Sequence, residues 1–170
     1  MSSSLAGMIL TIVLPLLCTY ACFSDMFSMR ISNRLSLAVL SLFPIFALAI
    51  GMGWTAFGWH MLTGVAVLAV TFSLFAAGYI GGGDAKLTAA LAVWIGFGQL
   101  MEYLLLSSVF GGALTLGILF MRQHPLPEFA ARQSWIMRLH DSKAGVPYGI
   151  ALGIAALVLF PHSSVWKAII

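Results

Sequence analysis

Residues 35–83 form an unbroken run of 49 residues without a formal charge, with His60 as its single histidine. An average soluble domain places charge on about 25% of its residues. This chain carries 8 Lys+Arg and 5 Asp+Glu in 170 residues, or 8%, against 61% apolar side chains and a mean hydropathy of +1.04. Those values exclude a soluble globular domain, a disordered chain and a disulfide scaffold. They point to an integral membrane protein. One membrane span needs about 20 residues, so the run must turn back on itself. Gly51-Met52-Gly53-Trp54 marks the break, with Trp54 and Trp59 suited to the membrane interface.

The remaining charges divide the chain further. They predict one all-α domain over residues 1–170, with six transmembrane helices at about 5–23, 35–53, 59–80, 85–98, 103–121 and 146–161. In that topology Arg30, Arg34, Lys86, Arg122, Arg132, Arg138 and Lys143 share one side, and Lys167 alone takes the other. The basic side is expected to be cytoplasmic and both termini outside (periplasmic). The net charge of +3 is thus read as a topology signal and not as a nucleic-acid surface; the lipid bilayer is the expected partner. Met1-Ser2-Ser3-Ser4 lacks a basic n-region, so the first apolar run is expected to be a retained span.

The one sizeable polar stretch is the cytoplasmic loop at about 122–145. Phe129, Ile136 and Leu139 fall there near helical spacing, which suggests a short amphipathic surface helix. Cys18 and Cys22 lie one helical turn apart in an apolar run and read as small buried hydrophobes. His60, His124, His140 and His162 are dispersed, so no metal and no other cofactor is expected. Gly111-Gly112 would allow close helix contact.

Among the acids, Glu102, Glu128 and Asp141 fall in water-accessible loops. Asp25 and Asp84 instead mark the cytoplasmic edges of the first and fourth spans. A charge at membrane depth costs about 2.5–3.5 kcal/mol on insertion scales, so such residues usually have a function. Helices one and four packed side by side would bring the two carboxylates together. Two carboxylates in contact cannot both ionise cheaply and can share one proton. That is what metal-free peptide hydrolysis needs: one Asp takes a proton from water while the other gives one to the scissile carbonyl. The residues alone leave a second reading open, in which Asp25 pairs with Arg30 and Asp84 with Lys86 as topology anchors.

Asp84 follows Gly81-Gly82-Gly83. Three glycines free the backbone and admit close approach, and would leave N–H and C=O groups for an extended peptide to pair with. A flexible helix-breaking linker is the plainer alternative.

The residues 81–87, Gly-Gly-Gly-Asp-Ala-Lys-Leu, resemble the Gly-x-Gly-Asp signature of intramembrane aspartyl proteases and its Gly-Asp-x-Lys-Leu continuation in the type IV prepilin peptidases. Asp25 followed by Arg30-Ile31-Ser32-Asn33 is similar to that family's first motif, an Asp and then Arg-Ile-Pro-Asn. Val146-Pro147-Tyr148-Gly149 resembles the Pro-Tyr-Gly stretch opening its last span. The resemblance covers essentially the whole chain. It implies a hydrolase of the bacterial inner membrane with Asp25 and Asp84 as catalytic pair. Such an enzyme removes the short basic leader of a prepilin at the cytoplasmic face, cutting after a Gly and before the apolar pilin helix.

Two departures stand out. Ser32 replaces the Pro, which would make the loop after Asp25 less rigid. The cytoplasmic cysteine cluster of members that also N-methylate pilins is missing here. The chain therefore resembles the short kind serving Flp-type (tight-adherence) pili, and no N-methyltransferase activity is expected. Gly81, Gly83, Lys86, Arg30, Asn33, Pro147 and Tyr148 are the candidate substrate-binding or site-shaping residues. Arg30 and Asn33 would fix the first loop or meet headgroups, Lys86 would tune Asp84 or sit at the interface, and Pro147 and Tyr148 would shape the last span near the pair. A small proton- or ion-coupled carrier and a non-catalytic pilus-assembly subunit are the alternatives. The carrier would need acidic groups accessible from both sides; the subunit would tolerate Asp84→Asn.

Overall fold

The computed structural model describes residues 5–167, all of whose regular structure is helical. The expected outward positions of the two termini, and the stretch Met1-Ser2-Ser3-Ser4, lie outside the described residues. The helices are α1 (Leu5–Ser28), α2 (Asn33–Ala49), α3 (Trp54–Ala76), α4 (Gly82–Ile95), α5 (Leu100–Arg122), α6 (Glu128–Ala131), α7 (Ser134–His140), α8 (Tyr148–Leu159) and α9 (Ser164–Lys167).

The breaks have local causes. Ser32 caps α2, its hydroxyl accepting from the Leu35 N–H at 3.2 Å, so the serine that replaces the family proline organises the loop by capping. Gly51, at φ +68°, turns the chain after α2. α3 therefore begins at Trp54, five residues before the expected start of its span. Gly96, at φ +76°, ends α4, and the buried imidazole of His60 occupies the space a Cβ there would need. Nδ1 of His60 lies 2.7 Å from the Val93 carbonyl oxygen, so this histidine ties α3 to α4.

α4 is the central element. Leu87 through Ile95 are all buried, against α2 and α3 and also α8 and α5. Trp94 anchors the packing: its Nε1–H donates to the Val39 carbonyl at 2.8 Å, and Phe43, Phe46 and Phe160 surround its ring. The outer faces are apolar as well. Leu16, Leu37, Val65, Leu105, Val109 and Leu116 are each at least 60% exposed, a surface stable only in lipid. By length and composition Trp54–Ala76, Phe97–Arg122 and Tyr148–Lys167 can each cross a bilayer, and Ile12–Ser28 and Asn33–Ala49 are shorter apolar helices. The 14 residues of α4 rise only about 21 Å, less than the roughly 30 Å hydrocarbon core. The protein is a membrane-spanning helical bundle.

The polar stretch differs from the single amphipathic helix expected of it. It breaks at Arg132 and Gln133 into α6 and α7; Leu139 is buried while Phe129 stays 74% exposed. Arg122 draws the segment together, Nε donating to the Leu139 carbonyl (2.8 Å) and a terminal nitrogen to those of Ala144 (3.0 Å) and Gly145 (3.1 Å). Arg138 donates to the Phe27 carbonyl at 2.7 Å, and Trp135 stacks edge-on against Phe27. The segment is thus folded onto the end of α1 that carries Asp25.

Candidate active site

Asp25 lies in the last turn of α1 and is 4% exposed. Its Oδ2 accepts the backbone N–H of Gly149 at 2.7 Å. The reason is local to α8. The first N–H groups of a helix have no partner within it, and Pro147, just before α8, supplies none. The carboxylate of α1 meets that need from another helix, at the end of α8 where the backbone dipoles favour negative charge. Gly149 must be small: a Cβ there would lie 2.8 Å from Asp25 Oδ2 and 2.7 Å from Ile31 Cδ1.

Asp84 occupies the third position of α4, half-buried, with its carboxyl turned back toward Gly81. A Cβ on Gly81 would lie 2.8 Å from Asp84 Oδ2. The role of the glycines differs from the expected freed backbone. Gly82 and Gly83 are helical, and Gly81 sits at φ −71°, a conformation open to any residue. What they provide is space. Gly81 makes room for the Asp84 carboxyl, Gly82 for the Phe75 ring and Gly83 for Ile31.

The two aspartates open into one cleft of about 620 Å³, lined also by Arg30, Asn33, Val146 and residues 81–83. Among the described residues neither forms an ion pair with Arg30 or Lys86. Lys86 donates instead to Asn33 Oδ1 at 2.9 Å, joining the starts of α4 and α2 beside the cleft. The Arg30 backbone is held by Ser24 and Ser28, whose hydroxyls donate to its carbonyl at 3.3 and 3.2 Å. Met29 ends α1 in the left-handed region, at φ +51°.

Pro147 is buried, but Tyr148 is exposed. Its hydroxyl lies 3.1 Å from Thr115 Oγ1 and its ring fills the space left by Gly111; Gly112 faces open space. Two residues not singled out from the sequence stand closer to the aspartates: Gly149, the partner of Asp25, and Ile31, wedged between Gly83 and Gly149. Both fall inside the motif stretches. Cys18 and Cys22 are free thiols on α1, with Cys22 Sγ 3.6 Å from the Ile150 carbonyl on α8. Among the described residues no three His, Cys, Asp or Glu gather to hold a metal.

Fold and cleft together define a polytopic membrane protein with an acidic pair, drawn from two helices, facing one polar opening. Residues 12–116 match the model of the type IV leader peptidase family, and the chain belongs to that family. It is similar to the prepilin leader peptidase/N-methyltransferase of Aeromonas hydrophila, 32% identical over 162 residues, covering 91% of this chain and 48% of that protein. The protein of the same description from Aeromonas salmonicida (strain A449) matches to the same extent. The chain spans about half the length of these curated relatives. No solved structure matches it. The family match includes Asp25 and residues 81–84 and ends before Gly149.

Proposed function

We propose that this protein is an intramembrane aspartyl endopeptidase of the bacterial inner membrane that removes the basic leader from Flp-type prepilins. The observation that carries the reading is the placement of Asp25 and Asp84, from separate helices, on one polar cleft. Family membership supports the reaction class. The distribution of basic residues supports six spans, outward termini and a cleft at the cytoplasmic edge. A leader then stays in the cytoplasm, the apolar pilin helix lies in the bilayer, and the scissile bond meets the pair at the boundary.

In the proposed cycle one aspartate is ionised and the other protonated. The ionised group accepts a proton from water as the water oxygen bonds to the scissile carbonyl carbon, and the protonated group gives its proton to the carbonyl oxygen. Collapse of the tetrahedral intermediate breaks the C–N bond. The amine leaves with the proton first taken from water, and the hydroxyl proton returns to the pair. Gly149 holds Asp25 in place through its N–H, and Gly81 leaves the room Asp84 occupies. The proposal covers hydrolysis alone.

Co-expression with an Flp-type prepilin tests it. Asp25→Asn and Asp84→Asn should each abolish the mobility shift of the processed pilin while the protein still inserts in membranes. Full processing by either variant would discard the assignment.

A further inference from the structure

The helices that carry Asp25 and Asp84 do not pack side by side. Among the described residues α1 and α4 hardly touch; each lies against α2 and α8 instead. Direct helix contact therefore does not set the spacing of the two aspartates. At the cleft end of the bundle that spacing falls to whatever stands between them. Ile31, in the loop joining α1 to α2, stands there. It is half-buried, packs against the core and lines the acidic cleft. A Cβ on Gly83, the residue before Asp84, would lie 3.1 Å from Ile31 Cβ and 3.4 Å from the Ile31 carbonyl oxygen. A Cβ on Gly149, whose N–H holds Asp25, would lie 2.7 Å from Ile31 Cδ1. One side chain thus abuts the backbone beside each carboxylate.

Its neighbours in the loop are pinned. The Met29 N–H donates to the Asp25 carbonyl at 2.8 Å. The Ser24 and Ser28 hydroxyls donate to the Arg30 carbonyl, and Ser32 caps α2. Branching at Cβ leaves isoleucine few rotamers. The surfaces it meets are glycine backbone, which cannot swing aside as a side chain does. Ile31 is therefore a stiff wedge. The reaction makes that stiffness matter, because a proton moves only within hydrogen-bond reach, about 2.6–3.2 Å, or through one water. A shift of about 1 Å at a reacting group costs on the order of a hundredfold.

We infer that Ile31 is a positioning residue, the spacer that fixes how far Asp25 stands from Asp84. Its branched side chain holds the start of α4 off the start of α8, and each aspartate keeps its place through the glycine that Ile31 touches. This rests on the peptidase reading.

Cleavage of an Flp-type prepilin by the full chain in liposomes tests it, with kcat and KM taken per folded molecule. Ile31→Ala should lower kcat between about tenfold and about a hundredfold, with KM unchanged within about twofold. Ile31→Val removes only Cδ1 and should lower kcat about fivefold; it carries the test if Ile31→Ala folds poorly. Leu14→Ala opens a cavity in the buried face of α1, away from the cleft. It should lower the melting temperature and leave kcat unchanged. Beside Asp84→Asn, Ile31→Ala should cost nothing further, since the pair it serves is already broken. Wild-type kcat in folded Ile31→Ala or Ile31→Val would overturn the spacer. So would a loss confined to KM, an equal loss of kcat in Leu14→Ala, or a further loss beside Asp84→Asn. Full cleavage by Asp84→Asn alone would overturn the peptidase reading instead, so the two failures are told apart.

Discussion

Gly149→Ala is the perturbation that tests the geometry most narrowly. The added Cβ would lie 2.8 Å from Asp25 Oδ2 and 2.7 Å from Ile31 Cδ1, where ordinary contact begins at 3.4 Å. The carboxylate must therefore retreat by about 0.6 Å, and the 2.7 Å bond from the Gly149 N–H lengthens or tilts. A displacement of about 1 Å at a reacting group costs on the order of a hundredfold. Gly149→Ala should lower turnover between about tenfold and about a hundredfold, or about 1.4–2.7 kcal/mol of barrier. Overpacking adds about 1–3 kcal/mol of instability, so rates are compared per folded molecule after a melting measurement in detergent. Gly112→Ala faces open space and is the matched control, expected at full rate. Ile31→Val removes the Cδ1 conflict but not the one with Asp25, so adding it should recover stability more than rate. Wild-type turnover by folded Gly149→Ala would show that this N–H does not position Asp25, and the site geometry drawn from it would fall.

Gly81→Ala meets Asp84 Oδ2 in the same way. It should slow cleavage by a similar factor without disturbing α4, seen as an unchanged far-UV spectrum beside reduced turnover. Arg122→Ala loses three bonds to loop carbonyls, each charged bond worth about 1.5–3 kcal/mol when its partner is left unpaired. Limited proteolysis should then cut residues 122–145 far faster. A chelator should leave cleavage of purified protein unchanged, because the proposed water activation uses carboxylates alone; reversible loss of activity on chelation would contradict it.

The sequence exposes the helical class through the charge-free run at 35–83, because lipid tolerates so few alternatives there. It exposes the turn near Gly51 for the same reason: an apolar run of that length must reverse. The short, largely buried α4 was harder to read. Beyond Lys86 it is buried all round from Leu87 to Ile95, so periodicity cannot show which faces meet α2, α3 and α8. The aspartates stood out because ionisable groups at a membrane edge are rare. Gly81 stood out with them, next to Asp84 in the chain, but Gly149 did not: it owes its identity to the volume of a carboxylate on another helix, a long-range fact that no local pattern carries. Tyr148 shows the converse: a motif position beside Gly149 whose ring goes to Gly111 on α5. The fold of residues 122–145 was illegible because it rests on Arg122 and Arg138 reaching distant carbonyls, where spacing suggested only a surface helix.

The central claim is that two aspartates act as one proton-sharing unit. Groups acting as a unit are non-additive: losing either costs as much as losing both. Single-turnover cleavage of an Flp-type prepilin, with the protein reconstituted in liposomes, measures this directly across Asp25→Asn, Asp84→Asn and the double variant. The account predicts the same residual rate for all three. Rates that multiply, with each single variant keeping its own fraction of activity, would contradict it.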